Sequence, residues 1–332
     1  MKGFLKKINP YQHTVSRDVS FTGIGLHSGL PITMVIKPAD ADTGIRFVRT
    51  DLDKEIPALM DRIVDTTLAT TLGEDGASVS TTEHLMAALT ALGIDNVIIE
   101  LDGPEVPIMD GSAAPFVQIL KRVELTRQNV YRKLLKITDE ITFQIGDTLI
   151  TLLPYDGFKV TCKIDFDHKL IRKQNYSVEV NSKKFIKEIS SARTFGFMDQ
   201  VEKLRANGLA LGGSLSNAIV IDKSGVLNTE GLRFSDEFVR HKVLDLIGDL
   251  ALLGCQIVGH VVATRSGHGH HHGLMNEIVS HPECWEFVTL EKNEEEGVLA
   301  RVITSTKEAG NMILPFLVPS TSVATAPSLG RS

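Results

Sequence analysis

An α+β fold is predicted for this chain by three observations. Strand-like runs are grouped ahead of helical ones, the same order begins again near residue 128, and no strand-helix alternation of a parallel sheet runs through it. The stretch from Arg122 to Leu135 turns polar and basic, which marks a boundary between 1–127 and 128–304, with a tail at 305–332. The two halves share their order of elements far more than their residues, so a structural repeat is expected from the order alone.

Composition bounds the class. With 332 residues, 42% of them hydrophobic, the chain can bury a substantial core and is long enough for two domains. A formal net charge of −6 argues against a nucleic-acid protein, which needs clustered basic charge. Cys162, Cys255 and Cys284 are widely spaced, pointing to neither a disulfide framework nor a cysteine zinc site and fitting a reducing cytoplasm. Met1 to Pro10 carries lysines without a following apolar run, and no window reaches the ~18 apolar residues of a membrane span. The expectation is a protein neither exported nor membrane-inserted.

Taken in order, Ile32 to Ile36 is the clearest early strand, preceded by the glycine-rich turn Phe21 to Gly29, whose single histidine is His27. Asp51 to Leu72 reads as irregular. Ser80 and Glu83 have capping-box spacing, which opens an amphipathic helix ended by Gly93. Asn96 to Leu101 is a buried strand, Asp102 to Ser112 a stiff loop and Ala113 to Lys121 a helix. After the boundary come strands at Leu134–Ile137, Ile141–Phe143, Thr148–Leu152 and Lys159–Ile164, then a helical stretch reaching Asn207 and a strand at Ala218–Ile221. The apolar run among small residues at Gly208 to Leu215 fits core packing or, more sharply, a groove for a lipid chain. Gln256 to Thr264 is a strand leading to a loop at His268, with His270, His271 and His272 facing solvent; Pro319 to Ser332 reads as a disordered tail.

The stretch Phe238 to Leu250 organises the rest. At ~100° per residue, His241, Asp245 and Asp249 fall within roughly 80° of one another on a helix, opposite Val243, Leu246, Ile247 and Leu250. Alone, such a row describes a solvated face with neighbouring ion pairs. It is accompanied, however, by Glu83-His84 at a helix start and by Ser266-Gly267-His268. A hydrolytic zinc site takes three ligands from histidine and carboxylate and leaves a position for water, and His84, His241 and Asp245 would supply that set.

These residues resemble the zinc-dependent UDP-3-O-acyl-N-acetylglucosamine deacetylases of lipid A synthesis, from about Gln12 to Leu290. The resemblance is carried by Thr81-Thr82-Glu83-His84, Ser191 to Met198, Leu211-Gly212-Gly213-Ser214, Leu232-Arg233-Phe234, His241 to Asp249 and Ser266-Gly267-His268. It implies two similar α+β domains, each a sheet layered with helices, the helices packed between the sheets and one insert per domain, here about 48–72 and 194–221. It implies one Zn²⁺ held by His84, His241 and Asp245, Glu83 as general base, His268 as cationic partner oriented by Asp249, and Thr194 at the oxyanion. Lys242 would lie near the phosphates and sugar of the UDP-linked substrate. Phe195, Met198, Val201, Ala210, Ser214, Leu215, Ala218 and Val220 would line the acyl passage of the second insert.

The implied activity is hydrolysis of the substrate's N-acetyl group by a monomeric cytoplasmic enzyme. Gly269-His270-His271-His272 departs from the family, which more often has apolar and amide residues there. Two rival readings stand beside this one: a metal-dependent amidohydrolase of another nucleotide sugar or acylated amine, and a non-catalytic nucleotide-sugar or lipid-binding module in which Glu83 is a helix cap.

Overall fold

The computed structural model describes residues 9–293 and 297–302. Two mixed sheets share one wiring. In the first, the spatial order is Val19–Ile24, Pro31–Pro38, Val97–Leu101, Ile45–Arg49, Lys54–Pro57. Its central strand, Val97–Leu101, runs antiparallel to Pro31–Pro38 and parallel to Ile45–Arg49, and each outer pair is an antiparallel hairpin. The second sheet repeats this with Ile141–Ile145, Thr148–Leu153, Gln256–Thr264, Phe158–Phe166 and Arg172–Glu179. It is extended by Lys133–Ile137, parallel to the start of Gln256–Thr264, and then by Trp285–Asn293 and Gly297–Val302.

In both sheets the central strand comes last of the five in sequence and is entered from a helix, Glu83–Leu92 in the first and Glu237–Leu250 in the second. The repeat is therefore one of topology. The parallel pairings came unannounced, because the side-chain pattern of a strand carries no mark of its neighbours' direction.

Strand patterns account for one apolar face. Along Pro31–Pro38 the residues Ile32, Met34 and Ile36 are buried while the alternate positions are more exposed. The helices are buried far more completely. On Glu83–Leu92 only Thr90 and Leu92 escape full burial, and Gly93 ends it at φ 76, the left-handed cap that glycine takes without strain. The two helices meet at Gly248, where a methyl group would lie 2.7 Å from the carbonyl carbon and 2.9 Å from the Cα of Glu83. Only glycine lets the backbones approach so closely. Among the described residues no helix is long and apolar enough to cross a membrane.

Smaller pieces flank the sheets. Ile63–Asp65, Thr71–Glu74 and Ala77–Val79 form a three-stranded sheet, and Phe195–Phe197 pairs parallel with Ile219–Ile221 around the helix Met198–Ala206.

Three expectations need correction. Asp51 to Leu72 is not irregular: it holds Lys54–Pro57 and Ile63–Asp65, strands too short and too polar to show alternation. Within the boundary stretch Arg122 to Leu135, Leu125–Tyr131 pairs antiparallel with Tyr11–Val15 through backbone groups that its polar side chains do not advertise. The helix begins at Glu83 without a side-chain cap; Ser80 instead donates its backbone N–H to Pro104 and accepts from the Thr71 hydroxyl. His268 opens a helix, His268–Ser280, rather than a loop. The tail at 305–332 lies outside the described residues.

Candidate metal centre and active site

The polar row of Glu237–Leu250 is not a solvated face. His241, Asp245 and Asp249 are 2%, 1% and 1% exposed, turned into the contact with Glu83–Leu92, whose first residues Glu83 and His84 are each 3% exposed. Buried charge is costly unless it is paired, so each group's partners decide its state.

Asp245 Oδ2 accepts from Lys242 Nζ at 2.8 Å. Its Oδ1 lies 3.2 Å from His241 Nε2 and 3.6 Å from His84 Nε2, yet is buried without a hydrogen-bond partner. His241 Nδ1 is 3.1 Å from the Ala192 carbonyl, which can only accept, so the proton sits on Nδ1 and the Nε2 lone pair faces Asp245. Burial drives His241 down to about 3 against the pull of Asp245, keeping the ring neutral. Asp245 stays ionised: burial opposes its charge, but the Lys242 ammonium holds its pKa well below the usual carboxylate range. An imidazole nitrogen from each of His84 and His241 and an orphaned carboxylate oxygen, all within 4.8 Å, form a group that could hold a metal ion. Each ligand candidate on this helix is held from behind, His241 by the Ala192 carbonyl and Asp245 by Lys242.

The Ala192 carbonyl is placed by a buried ion pair. Arg193 donates its backbone N–H and Nε to Glu237 Oε1, at 3.0 and 2.9 Å, with Glu237 fully buried at the head of the helix. One residue on, Thr194 is locked by its backbone between Gly111 and Ile219. Phe195 packs edge-on against Phe238, with ring centres 5.0 Å apart, and its centroid is 6.3 Å from that of His241. Lys242 Nζ lies 5.8 Å from the Phe195 ring centre.

Beside the cluster stand Glu83 and His268. Glu83 Oε2 accepts the Thr70 N–H at 3.1 Å, while Oε1 lies 3.7 Å from His268 Nε2. Burial raises the Glu83 pKa, against the lowering pull of His268 and His84. His268 donates Nδ1–H to Asp249 Oδ2 at 2.8 Å. Burial opposes its charge, but Asp249 and Glu83 overcome that and hold it up at about 9. The site thus brings Glu83, His84, His241, Asp245, Asp249, His268 and Lys242 together. Asp249, His268 and His271 form a second compact group, though they satisfy one another at 2.6–2.8 Å where Asp245 Oδ1 has no partner.

Some members were invisible in the sequence. His271 was expected to face solvent; it is 0% exposed and hydrogen-bonded to Asp249, because it lies on the apolar face of a helix that was read as a loop. Thr70 holds both Glu83 and Asp249. His27, in the glycine-rich turn, has both ring nitrogens buried without a partner, and burial lowers its pKa against the field of Glu105, with His268 and His84 near enough to add to that lowering. Glu105 is almost fully buried and accepts from His27 N, Ser28 N and the Thr81 hydroxyl, holding the turn against the helix start. Thr81 has φ 57, an unusual conformation for a β-branched residue and one typical of functional sites. No local pattern links residues 27, 81 and 105; only tertiary contact does.

A cavity of about 430 Å³ is lined by His168, Phe197, Met198, Asp199, Glu202, Ile221, Asp222 and Lys223, none of them in the cluster. Met198 is also one of the residues expected along the passage. Leu211 and Leu215 are about half exposed, and the backbone N–H groups of Leu211 and Gly212 bond to the carbonyls of His27 and Leu26. That contact ties the Leu211-Gly212 segment to the turn carrying His27.

The family model for UDP-3-O-acyl N-acetylglycosamine deacetylase matches residues 12–280. The chain belongs to this deacetylase family. It is 50% identical over 289 residues to a UDP-3-O-acyl-N-acetylglucosamine deacetylase of Myxococcus xanthus, covering 86% of this chain and 92% of that protein. It is 49% identical over 292 residues to the Syntrophotalea carbinolica deacetylase, covering 87% and 94%. With the Shewanella pealeana deacetylase it shares 50% over 293 residues, covering 87% and 96%. The deacetylase match takes in both topological repeats and every residue of the cluster.

Proposed function

We propose that this protein hydrolyses the N-acetyl group of UDP-3-O-(3-hydroxyacyl)-N-acetylglucosamine, releasing acetate and the free amine, a deacetylation in lipid A biosynthesis. The observation that carries this reading is the buried His84, His241 and Asp245 group facing Glu83 and His268 in a chain of this family. The donor set, two histidines and one carboxylate with an unpaired oxygen, fits Zn²⁺. Bound there, zinc supplies Lewis acidity, lowering the pKa of a water and polarising the acetamide carbonyl.

The remaining chemistry belongs to the chain. Glu83 is the general base: its carboxyl, raised by burial and held by the Thr70 N–H, accepts a proton from the attacking water. His268 is the acid. Charged and directed by Asp249, it stabilises developing negative charge and gives its Nε2 proton to the departing amine, so that one proton is taken by Glu83 and one delivered by His268. Thr194 offers its hydroxyl to the oxyanion, and Lys242 adds positive charge toward the sugar and phosphates.

Phe195, Met198, Val201, Ala210, Ser214, Leu215, Ala218 and Val220 form the acyl passage of the second insert in this reading. The nucleotide-linked substrate supports a cytoplasmic location, and we take the protein as a monomer. The test is acetate release from the acylated substrate beside UDP-N-acetylglucosamine lacking the acyl chain. Strong preference for the acylated form, lost in Glu83→Ala with bound metal retained, is the expected result; equal rates on the two would overturn the substrate assignment.

A further inference from the structure

Behind His268 runs a connected row of hydrogen-bonding groups. Asp249 Oδ1 accepts from the Thr70 hydroxyl at 2.6 Å, and Oδ2 is shared by His268 Nδ1 at 2.8 Å and His271 Nδ1 at 2.6 Å. On its other side His271 Nε2 lies 2.9 Å from Ser266 Oγ. Burial opposes the charge of Asp249, but His268 and the hydrogen bonds from His268 and His271 hold its pKa below the ordinary range, so it is ionised and only accepts. Nδ1 of His271 therefore carries a proton. Burial keeps this ring below its usual value, hence neutral, and Nε2 must accept from the Ser266 hydroxyl. A single tautomer satisfies every partner.

Helix geometry explains why a histidine reaches this depth. His271, Leu274, Met275 and Ile278 are the buried residues of His268–Ser280, spaced i, i+3, i+4, i+7. Gly273 leaves room for the Phe143 ring, which a methyl there would crowd to 2.9 Å at Cε1 and closer at its neighbours, so the helix seats tightly on Ile141–Ile145. The order Ser266, His271, Asp249 is that of a nucleophile, base and acid, but His271 is sealed from solvent and Asp249 Oδ2 also serves His268. The row ends on His268.

We propose that His271 is a positioning residue for the deacetylation: its Nδ1–H, anchored through Nε2 by Ser266, pins the Asp249 carboxylate so that Oδ2 aims at His268. A carboxylate oxygen offers two lone pairs, and these two histidines fill both. Without His271, Thr70 alone holds the far oxygen, the carboxylate can turn about its Cβ–Cγ bond, and His268 loses its fixed direction toward Glu83. The inference rests on His268 being the acid of the reaction.

The test compares His271→Asn with His271→Gln in the metal-loaded enzyme. Asparagine places an amide N–H where Nδ1 lies, whereas glutamine places its amide near Nε2 and keeps only the Ser266 side. Both variants are polar and neutral, and the shorter asparagine leaves the larger void at this buried position, so lost packing alone would harm His271→Asn more, the opposite of the order expected here. Loss of an outer hydrogen-bonding partner commonly costs ~10–100-fold in activity. His271→Asn is expected to keep kcat within about twofold of the parent, and His271→Gln to lose about tenfold in kcat with KM within about twofold. In a His268→Ala background the difference should vanish. Equal kcat for the two variants, a change confined to KM, or a difference that persists without His268 would overturn the proposal. Parental turnover in His268→Ala alone would instead sink the role of His268.

Discussion

Gly248→Ala tests the helix contact on which the site is built. A methyl carbon at this position would lie 2.7 Å from the Glu83 carbonyl carbon, about 0.8 Å short of the ~3.5 Å at which two carbons pack favourably. The obstacle is backbone, so no rotamer change relieves it, and Glu83–Leu92 must move away from Glu237–Leu250. Overpacking of this kind costs about 1–3 kcal/mol of stability. Function suffers more, because the displaced helix carries Glu83 and His84 while the fixed one carries His241 and Asp245. A 1 Å misplacement of reacting groups can cost about 10²-fold in rate. The assay is acetate release at saturating substrate, with metal content and urea unfolding measured on the same preparation. We expect a folded protein with turnover reduced on the order of a hundredfold and weakened metal retention. Parental turnover with full metal content would refute the claim that this contact sets the geometry.

Further predictions follow from the electrostatics and the packing. His268 is held up at about 9 and Glu83 above the usual carboxyl value, so the rate should fall on the alkaline side as His268 loses its proton and on the acid side as Glu83 gains one. A cation in the cluster lowers both limbs, and an unchanged alkaline limb in His268→Gln would contradict the assignment. Arg193→Met leaves Glu237 charged and fully buried without its partner, which should cost about 3–5 kcal/mol in urea unfolding; a loss under about 1 kcal/mol would show that the pair is not structural. Ala218→Trp should raise KM for a long-acyl substrate by roughly tenfold and leave a short-acyl analogue little changed, whereas equal KM values would place the passage elsewhere.

The parts of the fold that the sequence disclosed were those with local signals. Alternation marked Pro31–Pro38 and Thr148–Leu153, Gly93 marked a helix end, and the i, i+4 spacing of His241, Asp245 and Asp249 put them on one face. That the face is buried was not legible, because a polar row reads alike whether it meets water or another helix. His268–Ser280 escaped notice since two glycines and no capping side chain open it, although His271, Leu274, Met275 and Ile278 hold a helical period that would have betrayed both the helix and the buried histidine. Glu105, Thr81 and His27 meet only through tertiary contact, so no window of sequence could have joined them.

The central claim is that His84, His241 and Asp245 hold the ion on which hydrolysis depends. It is tested most directly by stripping the protein of metal and measuring acetate release from UDP-3-O-acyl-N-acetylglucosamine with and without one equivalent of Zn²⁺, alongside His241→Ala. The account predicts release restored by a single equivalent in the parent and absent in the variant, which should not retain the ion. Undiminished release from the stripped protein, or from His241→Ala, would contradict it.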